Sequence, residues 1–281
     1  MDVVETIHDL RQRRRIQGLN QVVGVVPTMG DLHAGHLRLV DYCREQCTFA
    51  ITTLFVNPLQ FGPKEDFANY PRALAKDKAE LEQRDVNLLF APSIEEMFPD
   101  GQSAHTTVTV PGLSEQLCGA SRPGHFNGVT TVVTKLLQIT QPDFAYLGEK
   151  DWQQLTIIRR MVRQLNMPVE VVGVPTCRES DGLAMSSRNR YLTREERETA
   201  PHLFQTLREV ATHLHEGSKA YADLEEAATS QLRKVGFRSD YVAIRDPETL
   251  GPPTASEQSL RVFGAARLGR ARLIDNIGVE R

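Results

Sequence analysis

The sequence predicts an α/β protein, a Rossmann-like doubly wound parallel sheet followed by a second, smaller α+β domain. Three observations carry that expectation. Five short apolar runs lie between residues 21 and 175; they are β-branched or aromatic, bounded by Pro or Gly, and continuous rather than alternating. Strands buried on both faces of a parallel sheet have that composition. Helical stretches separate the runs, and repeated βα alternation points to a sheet covered by helices on both sides. After residue 176 the rhythm changes to two helices followed by three strands, which divides the chain into 1–176 and 177–281.

Taken in order, RQRRR (11–15) sits in an amphipathic pattern with Ile7, Leu10 and Ile16 and reads as the solvated face of a helix. The first strand run is QVVGVVP (21–27), followed by a helix over Gly35–Cys47. FAITTLFVN (49–57) precedes a helix over Pro71–Arg84, and VNLLFAP (86–92) is the third run. HTTVTV (105–110) alternates like an extra short strand within an insertion. A helix over Phe126–Ile139 leads to DFAYLG (143–148), then a helix over Lys150–Asn166 and the fifth run, VEVVGVP (169–175). In the C-terminal part, TREE (193–196) is a capping box that opens a helix expected to run to Gly217. A second helix stops at Gly236, and DYVAIRD (240–246), LRVFGAARL (260–268) and ARLIDNI (271–277) are strands.

Composition narrows the function classes. The chain has 281 residues, 40% hydrophobic and 25% charged, with a net charge of −3, as expected of a soluble globular protein. No basic face suits nucleic acid. No segment approaches the roughly 18–20 apolar residues of a membrane helix, and MDVVETIHDL lacks the basic-then-apolar order of a signal peptide. The four cysteines, Cys43, Cys47, Cys118 and Cys177, are scattered rather than framework-spaced. Cys43 and Cys47 share a helix face and read as buried small side chains rather than half of a metal site. A cytoplasmic location follows as the expectation.

In open α/β sheets ligands bind at the carboxyl ends of the strands, and chemically capable residues concentrate there. PTMGDLHAGH (27–36) follows the first run; its two imidazoles, His33 and His36, stand at i and i+3 where a helix begins. A helix N-terminus offers free N–H groups and partial positive charge to a phosphate, and imidazole donors add stabilisation as charge develops on a leaving pyrophosphate. Gly30 and Gly35 permit close backbone approach to a nucleotide. After the fourth run, GEKDWQQL (148–155) places Lys150 to reach phosphate oxygens as a point charge, with Gln154 one turn further on. MSSRN (185–189) supplies Ser186, Ser187 and Arg188 as a triphosphate clamp in a loop suited to closing over nucleotide. FVNPLQF (55–61) offers the neutral amides of Asn57 and Gln60 to a small polar substrate, and Arg122 and His125 lie in the glycine-rich CGASRPGHFNGV (118–129). HLHE (213–216) reads as a surface feature.

Together, PTMGDLHAGH, FVNPLQF, YPR, PGLSEQLCGASRPGHFNGV, GEKDWQQL, DGLAMSSRN and ARLIDN, in this order, resemble the pantoate–β-alanine ligase (pantothenate synthetase) family over essentially the whole chain. The family belongs to the nucleotidyltransferase superfamily that shares H-x-G-H with class I aminoacyl-tRNA synthetases. The resemblance implies an AMP-forming carbon–nitrogen ligase. Pantoate attacks the α-phosphate of ATP to give pantoyl adenylate and pyrophosphate, and β-alanine then displaces AMP. It also implies Mg²⁺ with the nucleotide, a homodimer and a C-terminal lid.

By motif, the resemblance assigns the ATP site to Pro27, Thr28, Met29, Gly30, Asp31, Leu32, His33, Ala34, Gly35 and His36. It adds Gly148, Glu149, Lys150 and Asp151, with Cys177 near adenine, and Met185, Ser186, Ser187 and Arg188 on the triphosphate. Catalysis would rest on His36, His33, Lys150, Ser186, Ser187 and Arg188; Gln60, Gln154, Asn57 and Met29 would hold the small substrates. Metal ligands stay unassigned, because Lys76 precedes Asp77 where some relatives carry adjacent acids. Two other readings compete. A nucleotidyltransferase acting on a phosphorylated alcohol would need no paired glutamines, and a non-catalytic nucleotide sensor or RNA binder would have lost part of a cationic set that is intact here.

Overall fold

The apolar runs assemble into a six-stranded, all-parallel sheet in a computed structural model that describes residues 1–17, 19–62, 67–254 and 256–281. Its strands are β1 (Asp2–Val4), β2 (Val23–Thr28), β3 (Phe49–Leu54), β4 (Leu88–Phe90), β5 (Phe144–Gly148) and β6 (Glu170–Val174), in spatial order β1-β4-β3-β2-β5-β6. Register is continuous across the centre, with Val25 opposite both Ile51 and Ala145. The order reverses between β2 and β5, so the loops after these strands diverge over a crevice at the carboxyl edge.

Crossover connections between the parallel strands put the helices on both faces. On one face, α2 (Ala34–Gln46) and α3 (Leu74–Glu82) bury Leu37, Val40, Cys43 and Leu81 against Val26, Leu89 and Tyr146. On the other, α1 (Ile7–Gln17), α6 (His125–Thr140) and α7 (Trp152–Gln164) bury Leu10, Val132, Leu136 and Ile158 against Val23, Val25 and Ile51. Val25 and Val26 thus point to opposite cores, which is why this run is apolar at consecutive positions. Cys43 and Cys47 are buried thiols, and burial raises both pKa values above the ordinary thiol range.

Several sequence expectations need correction. β1 carries too little pattern to be read, with three residues and one buried side chain, Val4; it pairs with β4 at the sheet edge. HTTVTV is not a strand. Its Val108 amide donates to Thr131 Oγ1 and its carbonyl accepts from Thr130 Oγ1, so hydroxyls on α6 satisfy the backbone in place of a neighbouring strand. Ile16 is exposed, leaving Leu10 as the buried residue of α1. Short helices α4 (Ile94–Met97) and α5 (Cys118–Ser121) lie in segments with no helical period. The Thr193–Glu196 capping box forms, but its helix, α8 (Arg194–Thr199), ends before Pro201, and α9 (His202–His215) starts afresh. Pro201 has no N–H to continue the ladder.

In the C-terminal part, α9 and α10 (Tyr221–Lys234) cover one face of an antiparallel sheet of β7 (Arg238–Arg245), β8 (Ser259–Leu268) and β9 (Ala271–Glu280). Period-2 alternation sends Val242, Val262 and Leu273 towards those helices. It sends Tyr241, Phe263 and Ile274 into the core around α6 and α7. The small sheet is therefore buried on both sides, and its second face looks across the crevice.

Candidate active site

A cavity of about 430 Å³ opens at the switch point between β2 and β5. Pro27 and Thr28 end β2 there, Met29 follows, and His33 is the N-cap of α2: its Nδ1 accepts from Gly35 N at 3.1 Å. An accepting Nδ1 fixes the neutral tautomer with hydrogen on Nε2, so His33 presents a donor beyond the helix end. Gly35 is required by the same contact, since a Cβ would lie 2.9 Å from the His33 ring.

His36, one turn on, stacks on His33 with ring centroids 4.0 Å apart. Burial first, then Lys150, lowers the His33 pKa to about 4; burial, His33 and Lys150 lower that of His36 to about 3. Both imidazoles are neutral near pH 7, suited to hydrogen-bond donation and not to acting as imidazolium acids. His36 Nδ1 is buried with no hydrogen-bond partner among the described residues.

The turn before α2 is built by a residue that sequence alone left as an uncertain metal ligand. Asp77, on α3 and 1% exposed, accepts from Asp31 N and Leu32 N, both at 2.8 Å. Its two oxygens hold the Gly30–Leu32 turn, in which Gly30 has φ 87° and Asp31 φ 53°. Asp31 in turn pairs with Arg190 at 2.5 Å. Among the described residues no three metal-capable side chains cluster. With Asp77 engaged, the described residues do not form a protein cage for Mg²⁺.

Of the expected ATP residues, Leu32 is buried in the α2 core, and Gly30, Asp31, Leu32, Ala34 and Glu149 do not line the cavity. Gly30, Asp31 and Leu32 belong to the buried turn that Asp77 holds, and Ala34 is exposed. Pro27, Thr28, Met29, His33, Gly35, His36, Gly148, Lys150, Asp151, Cys177, Met185, Ser186, Ser187 and Arg188 do line it, as do Asn57, Gln60 and Gln154. Lys150 Nζ lies 3.8 Å from Asp151 Oδ2, with its side chain 19% exposed. Met185 N donates to Cys177 O at 3.0 Å, closing the loop that delivers Ser186 and Arg188. Ser186 Oγ accepts from Arg188 N, and Ser187 Oγ lies 3.4 Å from Tyr70 OH.

The glutamine end is equally ordered. Asn57 caps a 3₁₀ turn (Pro58–Gln60) through Leu59 N and donates to Gly128 O at 3.1 Å. Gln60 O accepts from His125 Nδ1 at 2.8 Å and Arg122 Nη2 at 3.2 Å, while His125 Nε2 accepts from Arg122 at 3.0 Å. His125 and Arg122 therefore fix Gln60 as well as lining the cavity. Gln153, beside Gln154, is spent on Cys118 N, Leu113 O and Gln116 O. Sequence reasoning gave no role to Arg190 or Tyr70, whose partners Asp31 and Ser187 lie 159 and 117 residues away, nor to Arg267, Arg270 and Arg272, which line the cavity from the small domain.

A doubly wound sheet with donor imidazoles and cationic loops on both sides of its switch point defines a nucleotide-using α/β enzyme. The comparisons sharpen that class. Residues 2–278 match the pantoate-beta-alanine ligase family. A pantothenate synthetase of Pseudomonas putida is 51% identical over 278 residues, covering 99% of this chain and 97% of that one. The crystal structure of pantothenate synthetase from Thermus thermophilus superposes with a TM-score of 0.93 at 49% identity over all of both chains. A Francisella tularensis pantoate-beta-alanine ligase, solved with β,γ-ATP and β-alanine, gives 0.83 at 34% identity over 99% of this chain and 97% of that one. The chain belongs to the pantoate–β-alanine ligase family, and it is a ligase.

Proposed function

We propose that this cavity joins (R)-pantoate to β-alanine in two steps. The pantoate carboxylate attacks the α-phosphorus of ATP and the bond to the bridging oxygen breaks, giving pantoyl adenylate and pyrophosphate. The amine of β-alanine then attacks the acyl carbon, losing a proton as AMP departs. The observation that carries this reading is the pair of stacked, neutral imidazoles at the α2 N-terminus, in one cavity with Lys150 and Ser186–Arg188. Donors of that kind, fixed before the reaction, stabilise negative charge as it develops on the transferring phosphorus and leaving pyrophosphate.

His33 is held by its own cap bond and His36 by stacking, so neither must reorganise. Lys150 adds a point charge and Arg188 a fork. Gln60 and Gln154 align pantoate, and Asn57 with His125 and Arg122 keeps Gln60 in place. The remaining ATP-site residues, Gly148, Asp151, Cys177 and Met185, take the nucleoside end. Mg²⁺ enters as part of the MgATP substrate, held by phosphates and water. Residues 1–176 form the nucleotide and pantoate domain and 177–281 the lid, which shields the adenylate from water.

A homodimer in the cytoplasm is part of the same proposal and rests on the resemblance; among the described residues no helix is long and apolar enough to cross a membrane. Pyrophosphate exchange into ATP tests the chemistry. It should require pantoate and proceed without β-alanine, and adding β-alanine should yield AMP and pantothenate in equal amounts. Exchange without pantoate, or none from a folded ATP-binding protein, would refute the reading.

A further inference from the structure

The ARLIDN stretch of β9 has no part in the chemistry above, yet adjacent residues within it grip both cationic loops of the site. Successive side chains on a strand point to opposite faces. Asn276 Nδ2 donates to Glu149 O and Lys150 O, each at 2.9 Å. Its Oδ1 accepts from Arg261 on β8, and the Arg261 guanidinium lies 3.3 Å over the Trp152 ring. Arg261 thereby orients the amide so that both hydrogens face the carbonyls. Asp275, 4% exposed, accepts from Arg178 Nη1 at 2.6 Å and Nη2 at 2.9 Å. Arg178 also donates to Gly182 O at 3.0 Å and stacks on Phe204 at 3.8 Å, which fixes the loop running from Cys177 to Ser186.

We propose that Asn276 is a positioning residue for adenylation: by holding the carbonyls of Glu149 and Lys150 it sets the Lys150 ammonium against His33 and His36, while Asp275 sets the facing Ser186–Arg188 loop. The small domain is then part of the phosphate-binding apparatus as well as its cover. A backbone displacement of about 1 Å at Lys150 is enough to cost on the order of 10²-fold in rate. Because Lys150 acts on the leaving pyrophosphate, the effect of Asn276 belongs to the first half-reaction. Aminolysis of the adenylate, whose leaving group is AMP, does not call on it.

The inference rests on the two-step reading above, and the experiment separates the two. Wild-type protein that shows no pantoate-dependent exchange defeats that reading, whereas the inference is judged on variants against an exchanging wild type. For Asn276→Ala, kcat of exchange should fall about tenfold or more with the pantoate KM within about threefold, as for an interaction realised in the transition state. Aminolysis of supplied pantoyl adenylate should stay within about threefold. In a Lys150→Ala background, Asn276→Ala should cost less than about threefold more, because residues acting as a unit are not additive.

Asn276→Asp, nearly isosteric but without the two donors, should reproduce the pattern. If both Asn276 variants fail to fold, Arg261→Met leaves the amide in place but unoriented and should slow exchange about threefold or more with aminolysis unchanged. Equal losses in both half-reactions, no loss of exchange, or full additivity with Lys150→Ala would each overturn the proposal and leave Asn276 a structural tether.

Discussion

Replacing Asp77 tests how the histidine helix is launched. The carboxylate is 1% exposed and accepts from two consecutive backbone amides, Asp31 N and Leu32 N, at 2.8 Å each. Hydrogen bonds to a charged group contribute roughly 1.5–3 kcal/mol each, and removing the acceptor leaves the buried donors unsatisfied. Asp77→Ala should therefore destabilise the protein by about 3–6 kcal/mol before any relaxation, and by about 2–4 kcal/mol if water reaches the turn. Asp77→Asn keeps one acceptor oxygen and turns an NH₂ on the other amide, so it should cost about half as much.

Against a typical total of about 5–15 kcal/mol, either loss is large. Urea denaturation should show a lower midpoint with an unchanged slope. Hydrogen exchange should show faster exchange at the Asp31 and Leu32 amides, and pantoate-dependent exchange should fall in parallel as His33 and His36 lose their frame. A stability change below about 0.5 kcal/mol with unchanged amide protection would refute the reasoning. So would activity restored by excess Mg²⁺ at unaltered stability, which is the behaviour of a metal ligand.

His36→Ala should lower the adenylation rate by about 10²-fold or more, as for a lost transition-state donor, measured by pyrophosphate exchange; a loss below about threefold in folded protein removes His36 from the mechanism. Acid should destabilise the fold through the same pair. Their folded pKa values of about 4 and about 3 lie below the ordinary 6.5, so the unfolded chain binds more protons below that pH. Their contribution is complete above pH 6.5 and is lost as pH falls through 6.5 towards 4 and then 3. His36 alone adds up to about 1.4 kcal/mol per pH unit; urea midpoints between about pH 7.5 and about pH 4.5, a span that covers this window, should flatten in His36→Gln, and an unchanged slope counts against the burial argument. Gly128→Ala should destabilise the protein by about 1–3 kcal/mol although alanine favours helix. Its Cβ would lie 2.2 Å from Leu59 O, next to Gln60. The expected readout is a lowered thermal midpoint with a raised pantoate KM, and a neutral or stabilising outcome would show that the contact yields freely.

What was readable in the sequence was what local composition encodes. The central strands, buried on both faces, had to be apolar at consecutive positions, so β2, β3 and β5 stood out; β1, with three residues, did not. His33, His36 and Lys150 were legible because strand ends are where such a sheet exposes its loops. Helix α7 does not begin at Lys150 as its pattern predicts, because Glu149–Asp151 forms a 3₁₀ turn first.

Residues whose partners are remote in the chain take their roles from packing. Asp77 meets the turn 45 and 46 positions away, Arg190 reaches Asp31 across 159, and Asn276 reaches Lys150 across 126. Nothing near Asp77 in sequence distinguishes a carboxylate that holds two amides from one that awaits a cation. Periodicities, turn chemistry and the identity of the reacting groups are legible in the chain because they depend on neighbours within a few residues. Which face each group meets, and which polar atoms are already satisfied, depended on packing, because a hydrogen bond is decided by the few ångströms between atoms and not by the length of chain between them.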